Sequence, residues 1–342
     1  MMIDMHAHWR PAELSEALRA RPREPRIVRN GDGVEVLKSG RMGETPLAEA
    51  FDHVDFHLAR MDRQGVETSV LSLLGNFCWI EAQPPEVAGP LCQIVNDGLS
   101  EICRKHPGRF AAFAALPLTD TSAAVAEFRR ALGLPGIIGA QVPGNYFLTR
   151  KDAEAARPLL DATNRHRAVL FIHNGPRPGD AFPKVGSDTD NARRRNGTLD
   201  MQANLSSVMV TLSLTDCLAP YPDATVVVHN LGGNIPYEVE RMDHRCLLDT
   251  PDEELPSSRF RKSKVYVDCN SFGPHAIEAG VRLYGAERIV CGTDGTEFGC
   301  DWTRKSLAEA EIGDEARERI LRGNAATILA RASSAQGARA AA

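Results

Sequence analysis

Two imidazoles lie two residues apart near the N-terminus, His6 and His8, directly after the apolar run MIDM. Three more metal-type side chains end other short apolar runs: His173 closes AVLFIH, His229 closes ATVVVH and Asp294 closes RIVCGTD. Side chains at i and i+2 of a strand share one face, so His6 and His8 can reach a single ion. A nitrogen from His173 and an oxygen from Asp294 would complete a mixed divalent-metal set, with one position open for water or substrate. Water on such an ion ionises near neutral pH, at roughly pKa 7 for zinc, and the ion can also polarise a bound carboxylate or carbonyl. One strand-end histidine is ordinarily a solvated or capped polar residue. Five such ends in one chain require a common cause.

A parallel barrel supplies that cause, because it presents the C-terminal ends of its strands at one mouth. The chain alternates short apolar runs with helical stretches. Strands are expected at 2–5, 68–74, 109–116, 136–142, 168–173, 224–229, 264–270 and 288–294. Helices are expected at 50–64, 85–106, 121–132 with a Thr or Ser cap, 152–166 interrupted at Pro158, 201–219, 235–248 with Pro236 in its first turn, 273–285, and over most of the rest to about residue 331. An Asn30-Gly31-Asp32-Gly33 turn between two extended pieces predicts a hairpin, in an insertion spanning 20–48. Alternation alone also allows a doubly wound sheet, but the first and last strands both end in metal-type residues, which a closed ring makes neighbours. The predicted class is α/β: a distorted (βα)8 TIM barrel with that insertion after strand 1 and with C-terminal helices. One metal-dependent domain is expected over 1–331, then a mobile tail at 332–342. Residues 174–200 are polar and rich in Gly, Pro and Arg. So long a loop directly after a candidate ligand is often functional, and a lid over the site is expected.

Bulk composition narrows the function classes. The 342 residues suit one barrel with insertions. A net charge of −5, from 45 acidic and 40 basic side chains, argues against nucleic acid as a partner. The run Arg193-Arg194-Arg195 reads as a solvated loop. Eight cysteines without a CxxC pair, and no signal peptide, predict reduced thiols in the cytoplasm. No run of about 18 apolar residues occurs, so no membrane helix is expected.

The segments IDMHAHWRP, LFIHNGPRPGD, VVVHNLGGNIPYEVERM and VCGTDGTEFG resemble the motif set of the amidohydrolase superfamily. They are most similar to its branch containing amino-carboxymuconate-semialdehyde decarboxylase and the γ-resorcylate and 5-carboxyvanillate decarboxylases. The flanking pieces LARMDRQGVETSVLSLL, NDGLSEICRKHPGRFAAFAALPL and LGLPGIIGAQV look like the same branch, so the resemblance runs to about residue 330. It implies a mononuclear metal held by His6, His8, His173 and Asp294, with His229 handling a proton of water or substrate. Binuclear members carry a bridging Lys or Glu at the end of the fourth strand; here that strand reads GIIGAQV, with neither. Zinc is the expected ion and manganese the alternative. Two motifs depart from the branch: Gly295-Thr296-Glu297-Phe298 replaces an aromatic and Pro after the last-strand Asp, and His229-Asn230-Leu231-Gly232-Gly233 replaces a compact His-Gly-Gly-Gly.

The resemblance predicts non-oxidative decarboxylation of an aromatic or unsaturated carboxylic acid, with His229 and Asp294 at the chemistry. Hydrolysis or hydration through a metal-bound water is the alternative, with Glu297 as an extra base. Arg241, Arg177 and Arg41 are candidates to pair the substrate carboxylate, because a guanidinium fork matches it. Trp9, Phe77, Trp79, Tyr146, Phe298 and Trp302 follow strand ends and could line an aromatic pocket. The expected partners are a small carboxylate and further copies of the chain, as a homodimer or larger.

Overall fold

The computed structural model describes residues 1–39, 43–47, 53–73, 79–180 and 195–340. Eight parallel strands stand in the order of the chain: β1 (Met2–His8), β5 (Val66–Ser72), β6 (Phe110–Ala114), β7 (Ile137–Pro143), β8 (Val169–His173), β9 (Thr225–Val228), β10 (Tyr266–Asp268) and β11 (Ile289–Val290). Each expected strand is present. Fully buried parallel strands read as continuous apolar runs, which is why the pattern is visible in the sequence. The first strand is longer than the expected 2–5: it runs through His8, so both histidines ride on its pleat. No ladder joins β1 to β11. Two backbone bonds shut the ring there, Met5 N–H to Cys291 O at 2.9 Å and Thr293 N–H to His6 O at 3.4 Å.

The barrel is filled, not hollow. Ile3, Met5, Val70, Phe113, Ile138, Phe171, Val227 and Val290 form one interior cluster. Ala325, Ile328 and Ala332 of the last helix join that cluster and close the barrel beneath. That helix, Asn324–Ala340, continues through the segment expected to be a mobile tail, and Gln336 Nε2 donates to Leu134 O. A second, larger cluster fills the layer between barrel and surrounding helices.

The insertion is a three-stranded antiparallel sheet, β2 (Arg26–Arg29), β3 (Glu35–Ser39) and β4 (Gly43–Pro46). The expected hairpin is its first two strands; the third, reading GETP, has no apolar alternation to announce it. The helices that matter below are α1 (Ala12–Arg19), α2 (Val54–Gln64), α3 (Pro85–Lys105), α4 (Thr121–Leu132), α5 (Arg150–Arg165), α6 (Met201–Leu214), α7 (Ile235–Asp249), α8 (Pro256–Lys262), α9 (Pro274–Tyr284) and α10 (Glu297–Glu309). The cap of α4 is Asp120, whose carboxylate accepts the Ala123 N–H at 2.7 Å, one residue before the expected Thr or Ser. Pro158 does not interrupt α5. It lies on the exposed side, where water can serve the carbonyl that its missing N–H leaves unbonded.

Candidate metal centre

His6, His8, His173 and Asp294 converge at the C-terminal mouth, with one donor atom of each lying within 4.8 Å of all the others. His6 Nε2 is 3.3 Å from His8 Nε2 and 3.4 Å from Asp294 Oδ1, and His8 Nε2 is 3.0 Å from that oxygen. Bonds of about 2.0–2.1 Å separate neighbouring donors by about 3.3 Å at tetrahedral angles and about 3 Å at right angles. The cluster therefore has the dimensions of a first coordination shell.

Its hydrogen bonding agrees. The His6 Nδ1 faces Asp268 Oδ2 at 2.9 Å, the His8 Nδ1 faces Ser72 Oγ at 3.0 Å, and the His173 Nδ1 faces the Asn174 carbonyl at 3.0 Å. Asp268 and the carbonyl can only accept, and Ser72 donates its own hydrogen to Ala7 O at 3.3 Å. Each Nδ1 thus carries the proton, and each Nε2 turns a lone pair inward. Lone pairs 3.3 Å apart repel unless a cation lies between them. The residues fit a divalent ion.

The layer beneath is aromatic. Phe171 meets His6 edge-on at 5.1 Å between centroids and stacks on Phe113, also at 5.1 Å. Burial among these rings and the fields of His6 and His8 push His173 down to about 3. His6 is held above its ordinary value: burial pulls it down, but Asp268 and then Asp294 outweigh that. Partial burial works to raise the Asp294 carboxyl, yet His8, His6 and His173 hold it well below the usual carboxylate range. Asp294 has a left-handed backbone, φ 60°, which aspartate tolerates better than most residues.

His229 stacks on His173 at 4.2 Å but is not among the four donors. Its Nε2 accepts the Asn174 N–H at 2.8 Å, and its buried Nδ1 has no hydrogen-bond partner among the described residues. The following Asn230 and Leu231 take φ values of 53° and 50°, a conformation that glycine adopts at lower cost. The departure from His-Gly-Gly-Gly is accommodated away from the ion: Leu231 is buried in the outer layer against α9, near Gly280, and Tyr284 donates to its carbonyl at 3.1 Å.

Asp268 is a site residue that sequence reasoning missed. It is fully buried at the end of β10, and its Oδ1 accepts the N–H groups of Asn230 and Asn270 at 2.8 and 3.0 Å. Its signal in the sequence is a carboxylate closing the apolar strand KVYVD, the same pattern that exposes the ligands.

The expected substrate contacts are scattered. Trp9 and Trp79 are buried in the layer between barrel and helices, with indole N–H groups that find no acceptor among the described residues. Tyr146 is buried and donates to Leu118 O at 3.3 Å. Arg177 is engaged by Asp152 at 3.1 Å and by Asp180 at 3.4 Å. Arg241 is exposed on α7. Phe298 is 74% exposed and stacks on Trp302 at 6.1 Å, one turn further along α10. Glu297 begins that helix. Arg41, Phe77 and most of the expected lid lie outside the described residues; 195–200 form one helical turn.

The chain belongs to the amidohydrolase family, whose sequence profile matches residues 3–331. It is 28% identical over 298 residues to γ-resorcylate decarboxylase of Rhizobium sp. (strain MTP-10005), covering 81% of this chain and 87% of that protein. The fold is that of IDCase from Metarhizium anisopliae in its apo form, with a TM-score of 0.76, 19% identity and 97% of each chain covered. It is also that of the dihydroxybenzoic acid decarboxylase of Polaromonas sp. JS666, solved with manganese and the inhibitor 2-nitroresorcinol, with a TM-score of 0.65, 20% identity and 96% of each chain covered. Among the described residues, no helix is long and apolar enough to cross a membrane. The seven described cysteines are free.

Proposed function

We propose that this protein is a metal-dependent carbon–carbon lyase, removing CO2 without oxidation from an aromatic or unsaturated carboxylic acid in aromatic-compound catabolism. The observation that carries the reading is the convergence of His6, His8, His173 and Asp294 on one point at the mouth of the barrel. The γ-resorcylate decarboxylase likeness supports the chemistry, and it favours decarboxylation over the hydrolytic alternative. Three imidazoles and a carboxylate suit zinc. The donor separations suit six-coordinate manganese equally, and manganese is the ion in the Polaromonas structure.

A bound divalent ion supplies positive charge that orients the acid's oxygens and steadies negative charge developing on them. The protein's residues do the rest. Asp294, an ionised carboxylate with Oδ1 against His8 and His6 and its side chain half-exposed, is placed to take up a proton released by the substrate as it binds and to hand that proton to the carbon that bears the carboxylate. The new C–H bond forms there, the bond to the carboxylate breaks, its electrons restore the ring, and CO2 leaves. His229, neutral and with Nε2 taken by the Asn174 N–H, offers its Nδ1–H as a hydrogen-bond donor toward the reacting group. The stacked Phe298 and Trp302 offer an aromatic face to the ring, while Trp9 and Trp79, buried beneath the helices, back the site from behind. Arg177, Arg241 and Arg41 are candidates for its carboxylate, and Phe77 and Glu297 are further candidates for substrate contact. We also place the protein in the cytoplasm as a homodimer or larger assembly: Tyr237, Leu247 and Leu248 stand exposed on the helix that carries Arg241.

Headspace CO2 release from a panel of hydroxybenzoates and carboxymuconates tests the reading. CO2 from at least one acid, abolished by chelator and restored by Zn2+ or Mn2+, is expected. Water-addition products without CO2, or turnover indifferent to chelation, would overturn it.

A further inference from the structure

Asp4 is fully buried on β1, two residues before His6, and is not one of the four donors. Its Oδ1 accepts the N–H of His6 at 3.2 Å and that of Thr293 at 3.0 Å. Its Oδ2 accepts the Thr293 hydroxyl at 2.6 Å, and that hydroxyl oxygen accepts the Gly295 N–H at 3.1 Å. One carboxylate therefore grips both segments that bring ligands to the ion: the strand bearing His6 and His8, and the turn bearing Asp294 between Thr293 and Gly295.

This grip falls where the barrel is weakest. The ring is shut at β1 and β11 by two backbone bonds alone, one of them long. The segments also touch closely. A Cβ at Gly292 would lie 3.0 Å from the His6 Cβ, and one at Gly295 would lie 3.0 Å from the His8 nitrogen. Asp294 holds its left-handed backbone between these two contacts. Across this seam the Asp4 carboxylate meets both the backbone N–H and the hydroxyl of Thr293.

We infer that Asp4 and Thr293 are a positioning pair: they fix the distance between the first-strand histidines and Asp294, and so set the affinity of the site for its cation. The inference rests on the metal reading above. A purely structural role is the competing account, since the buried Arg60 of α2 lies close enough for its charge to act on Asp4.

The two separate by experiment. The full-length protein is stripped of metal, and its Zn2+ dissociation constant is measured by chelator competition for wild type, Thr293→Val, Thr293→Ser and Asp4→Asn, with the melting temperature of each metal-free form alongside. Groups that orient ligands typically carry about 10- to 100-fold in metal affinity. Thr293→Val is expected to weaken Zn2+ binding by about tenfold or more, Asp4→Asn by at least as much, and Thr293→Ser to restore wild-type affinity. Variants that melt earlier but bind Zn2+ as wild type does would overturn the proposal while leaving the metal reading intact. If Asp4→Asn does not fold, the contrast between Thr293→Val and Thr293→Ser still separates the two accounts. Failure of wild type to bind either Zn2+ or Mn2+ would overturn the metal reading and the proposal with it.

Discussion

The backbone N–H of Asn174 points at Nε2 of His229 from 2.8 Å, and so fixes which nitrogen of that ring carries hydrogen. Nε2 accepts, Nδ1 holds the proton, and burial followed by the field of His173 keeps the ring well below its ordinary pKa. His229 is therefore neutral at working pH. His229→Asn is expected to leave metal content unchanged and to lower kcat by about 10²- to 10³-fold, the usual worth of a preorganised hydrogen-bond donor. Metal analysis and steady-state kinetics on the same preparation check this, and normal turnover would remove His229 from the chemistry.

Asp268 acts on the ion through His6. Its charge is the main influence that lifts His6 against burial, and its second oxygen is held by two backbone N–H groups. Asp268→Asn keeps the shape and removes the charge. Zn2+ affinity is expected to fall about 10- to 100-fold, with activity recovered at high metal concentration. Titration of activity against free Zn2+ measures the shift.

Glu81 gives a pH signature independent of catalysis. It is buried, with one carboxyl oxygen unbonded, and burial pushes it up from 4.5 to about 8. The folded state keeps this proton to higher pH than the unfolded chain does. Its contribution to stability is thus full below about 4.5 and is lost as pH rises to about 8. Glu81→Gln should flatten the melting temperature between pH 5 and pH 8, gaining on wild type at the upper end by up to a few kcal/mol. Parallel melting curves decide it; equal slopes would mean that Glu81 is ionised in the native protein.

Phe298 is exposed enough to be replaced without disturbing the core. Phe298→Ser is expected to leave the melting temperature within about a degree of wild type, since exposed substitutions stay within about 0.5 kcal/mol. KM for an aromatic acid should rise severalfold, because a stacking face contributes about 0.5–1.5 kcal/mol. An unchanged KM would place the aromatic face outside the substrate's reach.

The ligands are legible in the sequence because each ends an apolar run, and a barrel turns strand ends into neighbours. Asp268 ends such a run as well, but a lone acidic residue gains meaning only once β10 is known to stand within reach of β1. Asp4 is harder still: it sits inside the apolar run, and its partners are backbone atoms near residue 293, which no side-chain pattern records. Trp9 and Trp79 follow strand ends as a pocket wall would, yet their size draws them into the layer beneath the helices. The strand GETP is held by backbone bonds to β3, which leave no trace in residue type.

Ala325, Ile328 and Ala332 stopper the barrel from below. The four converging side chains consequently lie at the bottom of a cul-de-sac: among the described residues, the floor beneath them is sealed and the approach is over the rim. Trimming the C-terminal helix would be expected to unseat that floor before it disturbed any of the four side chains at the mouth.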